Sequence, residues 1–168
     1  MKNREDIYET DNLLLRRPTA TDGIVLRDLW RNEKVRLFLG GIVTDTEIIE
    51  KKIVSVQEHW DKHKFGQWAV FEKISKEVIG ICGLHHSEEG IELSYMFFPE
   101  FWGKGRGFEA ASASLDYGFD VLLLERITAI TQKANESSCR LLNKIGMNHI
   151  NTILRFNAVQ YIYEITQS

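Results

Sequence analysis

The chain has only two cysteines and two prolines. Cys82 and Cys139 show no metal-ligand spacing, so neither a disulfide framework nor a cysteine-held metal is expected, and both thiols read as reduced. No apolar run approaches the roughly 18 to 20 residues that a membrane helix needs. The opening segment MKNREDIYETDN has no apolar stretch of the kind a secretory signal carries, which makes a cytoplasmic location the expectation. A basic excess is missing too: the formal net charge is −3, which disfavours phosphate-backbone binding as a main role. There is no internal repeat, low-complexity tract or linker, so residues 1–168 read as a single domain. A hydrophobic share of 43% against 27% charged residues is enough for an ordinary globular core.

What is present is a set of alternating strand and helix signals. Leu13-Leu14-Leu15, closed by Pro18, predicts a first strand. Asp22 to Leu39 predicts one helix with Val25, Leu26, Leu29 and Trp30 on its apolar face, broken by Gly40-Gly41. Thr44-Asp45-Thr46-Glu47 has the spacing of a capping box, and Val43 and Ile48 that of a hydrophobic staple. The helix beyond is marked by Ile49, Ile53, Val56 and Trp60. Three strand-like runs follow, Gln67 to Glu72, Val78 to His85 and Ile91 to Phe98, and short turns between them predict an antiparallel meander. After a glycine-rich stretch comes a helix with Phe108, Ala111, Ser112, Leu115 and Phe119 on one face. Arg126 to Thr131 is a fifth strand. Asn135 is placed to cap a short helix ended by Gly146, and two strands, about 148–156 and 159–166, complete an α+β layout.

The stretch Trp102-Gly103-Lys104-Gly105-Arg106-Gly107 carries the most chemical information. Three glycines two apart leave main chain unshielded between a strand and a helix, so several amides can converge on one anion at the positive end of that helix. A pyrophosphate suits such a cradle; a flexible basic turn is the alternative. The stretch is not a Walker A motif, because no Lys-Ser/Thr pair follows. It is not a dinucleotide fingerprint either, since the strand before it belongs to a meander.

Trp102 to Gly107 resembles the acyl-CoA pyrophosphate motif of the GNAT superfamily, Arg/Gln-x-x-Gly-x-Gly/Ala, with Trp102 in the first position and Phe108 where a small residue or Thr is usual. The string Ile91 to Gly105 is similar to the RimJ/RimL-type branch, and so are Asn135-Glu136-Ser137-Ser138, Leu142-Asn143-Lys144-Ile145-Gly146-Met147, Leu29-Trp30-Arg31-Asn32 and Trp68. The resemblance implies a three-layer GNAT-like fold. Its mixed, mostly antiparallel sheet has about seven strands, splayed in the middle and flanked by about four helices.

It further implies transfer of an acetyl group from acetyl-CoA to a primary amine, a protein N-terminus or a small amine, by direct attack in a ternary complex. No metal or nucleic acid is involved, and a homodimer is the assembly it suggests. Main-chain groups of Met96, Phe97 and Phe98 would hold pantetheine, and the amides from Trp102 through Gly103, Lys104, Gly105, Arg106 and Gly107 to Phe108 the pyrophosphate.

Glu92 matches an acidic residue common in the branch and is the candidate base; an exposed strand glutamate in a cross-strand ion pair is its alternative. The tyrosine that many GNAT enzymes use as acid is replaced by Leu142, and the resemblance passes the role to Ser138, which reads otherwise as a packed helix serine. Asn135 combines an N-cap with a cofactor contact. His85 and His86 point to opposite faces of their strand, so one of them can face the cleft. Cys139 invites an acyl-cysteine scheme, but no base stands at suitable spacing, and a packed thiol is the better reading. The rival function is a catalytically silent acyl-CoA-binding regulatory module on the same fold.

Overall fold

A computed structural model describes residues 6–168. Its strands are β1 (Ile7–Glu9), β2 (Leu13–Arg16), β3 (Gln67–Glu72), β4 (Val78–Ser87), β5 (Gly90–Phe97), β6 (Arg126–Gln132), β7 (Asn148–Arg155) and β8 (Ala158–Thr166). Its helices are α1 (Ala20–Arg31), α2 (Glu33–Arg36), α3 (Thr46–His63), α4 (Arg106–Asp120) and α5 (Glu136–Lys144). All strands join one sheet in the order β1-β2-β3-β4-β5-β6-β8-β7. Every neighbouring pair is antiparallel except β5 and β6, which run parallel and share one registered pair, Glu92 with Thr128. The mixed α+β architecture, open in the middle, is the one expected, with one strand and one helix more.

The extra strand is β1, whose three residues are too few to show a period. The extra helix arises at Asn32. Its backbone is extended and its side chain accepts from the Val35 amide, so a new turn starts where a continuous helix was expected. Val25 faces outward, while Asp22 and Gly23 are buried. Gly23 lies against Ile53 of α3. The capping box on this side is Thr19 with Asp22, and Arg16 grips the Asp22 carboxylate at 2.6 and 3.0 Å.

The box expected at Thr44 does not form. Asp45 caps α3 instead and accepts from the Glu47 and Ile48 amides, because a carboxylate one residue later reaches both orphan donors. Ile48 is exposed, so the staple is absent as well. Ile49, Ile53 and Trp60 are buried as their spacing predicts.

The core forms two clusters of buried residues. One includes Leu84, Leu93, Phe97 and the small residues of α4; the other includes Leu26, Leu29, Ile49, Ile53 and Ile81. The α4 face expected from Phe108, Ser112 and Phe119 is only half-buried, and the deepest contacts come from Ala110, Ala111, Ser114 and Gly118. A Cβ on Gly118 would come within 2.8 Å of Ile127 and Leu84, so the helix lies against the sheet at a distance only small residues allow.

Candidate active site

The site is a consequence of that single parallel pair. Thr128 donates to the Ile91 carbonyl at 3.2 Å and closes one end of the β5–β6 seam. Past Glu92 and Thr128 no further pair registers, and the gap is faced by the end of β5 and the start of α5. Tyr95 of β5 and Ser138 of α5 meet across it, oxygen to oxygen at 2.7 Å. Asn135 caps α5, and its side chain accepts from the Ser138 amide, which fixes the serine in the first turn. Burial pushes the Tyr95 phenol well above its usual value, against the pull of Ser138. It therefore stays a proton carrier at any ordinary pH. Tyr95 was legible only as an aromatic in a strand, since nothing in sequence spacing pairs it with a residue 43 positions away.

Strand alternation divides the β5 side chains. Leu93 and Phe97 belong to the core cluster under α4, with Ile91 and Tyr95 packed on it, while Met96 packs on the other cluster. Glu92 shares the Met96 face by its even spacing. Its cross-strand partner on β4 is His85, and it is half-buried where the alternative reading had it exposed. Burial raises the Glu92 carboxyl above the ordinary range and Glu89 adds to this, against His85, the Ser87 hydroxyl and Arg155. His85 is thus the member of the histidine pair on the Glu92 side. Arg155 is held at 2.7 Å by Glu89.

The β5 main chain is partly committed. The Phe98 amide donates to the Ile79 carbonyl, and the register continues as Ile81 with Met96. A Cβ added to Gly80 would lie 2.3 Å from the Met96 carbonyl oxygen, which shows that this carbonyl is directed at β4. Antiparallel alternation then turns the main-chain groups of Tyr95 and Phe97 toward the gap, and those of Met96 and Phe98 away from it. Of the three residues expected to offer main chain to a pantetheine arm, Phe97 faces the gap, Met96 and Phe98 face β4, and Tyr95 joins Phe97 on the gap side. The Phe97 carbonyl itself accepts from the Trp102 indole at 2.8 Å, leaving its N–H for a ligand.

The glycine-rich turn fits a diphosphate. Gly103 and Gly105 have φ of 74° and 77°, and a Cβ on either would meet nothing within 4 Å, so the space before α4 is open. Gly105 caps the helix without a side chain, and the first helical bond of α4 is Glu109 to Gly105, so the amides just before it are the orphan donors of a helix start. One expected contributor does not point there: the Trp102 amide is taken by the Pro99 carbonyl. The Arg106 guanidinium is turned to Glu72 at 2.8 and 2.9 Å. Arg106 and Gly107 keep their main-chain amides. Lys104 lies over Phe101, and Lys144 reaches the mouth from α5, 4.5 Å over the Phe108 ring. The glycine-rich sequence motif includes only Lys104 of these two cations; Lys144 comes from a separate helix.

The cysteines stay outside this chemistry. Cys82 is buried beside Ser114 and its thiol is pushed up to about 12. Cys139 sits 3.9 Å from the Gln132 carbonyl, which is no base.

A sheet opened at one parallel seam, with bare main chain on one strand and a glycine turn opening a helix, defines an acyl-CoA-dependent acyltransferase scaffold. Residues 12–148 match the model of the acetyltransferase (GNAT) domain, and the chain belongs to that family of acetyl-transferring enzymes. It is 32% identical over 164 residues to the uncharacterized N-acetyltransferase YoaA of Bacillus subtilis, covering 94% of this chain and 89% of that one. The crystal structure of an acetyltransferase from Agrobacterium tumefaciens superposes with a TM-score of 0.86 at 22% identity, over 96% of this chain and 94% of that one. The spermidine N-acetyltransferase of Vibrio cholerae, solved with CoA and spermine, has the same fold at a TM-score of 0.80 and 18% identity, over 94% and 97% of the two chains. Among the described residues, no helix is long and apolar enough to cross a membrane.

Proposed function

We propose that the protein acetylates a primary amine, a protein N-terminus or a small amine, by direct attack on acetyl-CoA with both substrates bound. The reading rests on the divergence of β5 from β6 beyond Glu92, with the Tyr95–Ser138 pair across the gap. Pantetheine lies along the main chain of Tyr95 and Phe97. The pyrophosphate sits on the amides from Gly103 to Phe108, with Lys104 and Lys144 near the mouth. The Asn135 cap keeps Ser138 in place.

The reaction then balances as follows. Glu92 takes one proton from the ammonium and passes it to solvent, the neutral nitrogen forms a bond to the acetyl carbon, and the nitrogen gives up its second proton to Glu92 as the carbon–sulfur bond breaks. Ser138 donates its proton to the departing sulfur and recovers one from Tyr95, which solvent refills. A β5 main-chain N–H near Phe97 is the donor aimed at the developing oxyanion. Glu92 and Tyr95 lie about 10 Å apart along the strand and on opposite faces, so the proton reaches Glu92 through water. This places the acceptor on the Glu92 side and the cofactor on the Ser138 side. The RimJ/RimL-like motifs support an acceptor of the classes that branch uses, and the polyamine enzyme with the same fold makes a small polyamine a natural member of the panel.

Thiol release from acetyl-CoA is the test, run against ribosomal N-terminal peptides, polyamines, amino acids and aminoglycosides. One thiol released per acetylated acceptor is the expected result for at least one class. Tight CoA binding without release across the panel would instead identify the silent regulatory module.

A further inference from the structure

Three of the five histidines meet at a place the acetyl-transfer reading does not use. His59 and His63 are four residues apart on the last turns of α3, hence on one face, and His86 comes from the end of β4. One ring nitrogen of each lies within 4.8 Å of the others. The rings pack with centroids 4.5 Å apart for His59 and His63, 4.1 Å for His63 and His86, and 5.5 Å for His59 and His86. All three also lean on Phe65.

His59 is held as a ligand would be. Its Nδ1 lies 2.8 Å from the Phe65 carbonyl, which can only accept, so Nδ1 carries the proton and Nε2 keeps its lone pair. Metal-bound imidazoles are oriented in this way by a backbone carbonyl on the far nitrogen. The ring is also clamped by the following loop, since a Cβ on Gly66 would stand 3.2 Å from the same Nδ1. In this structure Nε2 accepts from the His86 amide at 3.1 Å. That amide lies beyond the last β3–β4 pair, Gln67 with Gly83, and is exposed, so water can replace the imidazole there.

We infer that His59, His63 and His86 bind one divalent transition cation of the imidazole-preferring kind, Zn2+ foremost, with water completing the coordination. Nitrogen–metal distances of about 2.0–2.1 Å are reached by drawing the three rings together around the ion. No thiolate is involved, so the spacing of the two cysteines carries no sign of the site. The ion would pin the end of α3 to β4, one residue from His85, the strand partner of Glu92. The inference does not depend on the acetyl-transfer reading.

The test uses the full chain without a histidine tag, stripped with a chelator and then titrated with Zn2+ by calorimetry and thermal unfolding. One equivalent should bind, and a hundredfold excess over Kd should raise Tm by about 5–10 °C. Mg2+ should do neither, because it prefers oxygen ligands. H63Q and H86Q leave the His59–Phe65 bond in place; each should weaken Zn2+ binding at least tenfold, and together they should abolish it. Saturation without effect of the double variant, or no saturable binding by the parent chain, overturns the site. His86 is exposed, so H86Q alone keeps the test open should H63Q not fold.

Discussion

The two faces of β5 solve their tasks by different means. On the α4 side the proposed cofactor contacts are mostly main chain: the Tyr95 and Phe97 groups, the positive-φ turn at Gly103 and Gly105, and the start of α4. On the Glu92 side the candidate groups are side chains from several strands, with Glu92 facing His85 and Arg155 engaged by Glu89. Main-chain sites tolerate side-chain variation as long as glycines keep the space open. Side-chain sites change identity with each substitution, so on the proposed reading the first face would carry the acetyl-transfer chemistry and the second the choice of acceptor. If this division holds, changes on the α4 side should alter turnover or CoA affinity for every acceptor alike, and changes on the Glu92 side should act acceptor by acceptor.

The sharpest break would come at Ser138. S138A should lower kcat by about 100-fold or more for all acceptors, as loss of a general acid does, while the KM for acetyl-CoA stays within about threefold. Y95F should lower kcat about tenfold by removing the proton that refills the serine. Steady-state kinetics that show equal effects on kcat and KM would reduce the pair to packing.

Glu92 comes next. E92Q should cost about 100-fold in kcat/KM with an acceptor near pKa 10.4, and much less with an α-amine near pKa 8, which is partly neutral already. The sign with pH follows from its raised carboxyl. The base is lost as pH falls through the folded value, so the acid limb of kcat/KM should lie above the ordinary glutamate range and vanish in E92Q. A limb that persists in the variant would assign it to another group.

G105V should weaken CoA binding about tenfold, because a branched side chain would occupy the open cradle and resist φ of 77°. Calorimetry with CoA measures it, and unchanged affinity would move the diphosphate elsewhere.

The same contrast explains what could be read from the sequence. The meander, the glycine turn and the Asn135 cap announce themselves because each is local: alternation, positive φ and a side chain three residues from its amide. The register of β5 on β4 is not local. It turns Tyr95 and Phe97, not Met96 and Phe98, to the gap, and a one-residue shift cannot be fixed without knowing the partner strand. Tyr95 meeting Ser138, and Lys144 meeting Phe108, are likewise products of tertiary packing. The Thr44 box failed on a local competition instead, since Asp45 is as good a cap one position later. The His59–His63 spacing was visible, but its third member comes from another strand.

The smallest effect tests whether the cofactor face is braced by charge. Glu109, in the first turn of α4, holds the β1–β2 turn: it accepts from the Thr10 hydroxyl at 2.6 Å, the Asn12 amide at 2.8 Å and the Asn12 side chain at 3.1 Å. Burial acts to raise its carboxyl, but these donors and Arg106 outweigh it and hold the group below its ordinary 4.5. A depressed carboxyl stabilises the fold above its unfolded pKa and loses that contribution as pH falls through the folded value. E109Q should therefore cost about 1 kcal/mol near neutral pH, a Tm drop of about 2–4 °C, with the deficit shrinking as pH falls below 4.5. Thermal unfolding of both proteins from pH 7 down to pH 3 measures it. A deficit that does not change with pH would mean that the shape of the glutamate, not its charge, ties the turn to the helix that opens the cradle.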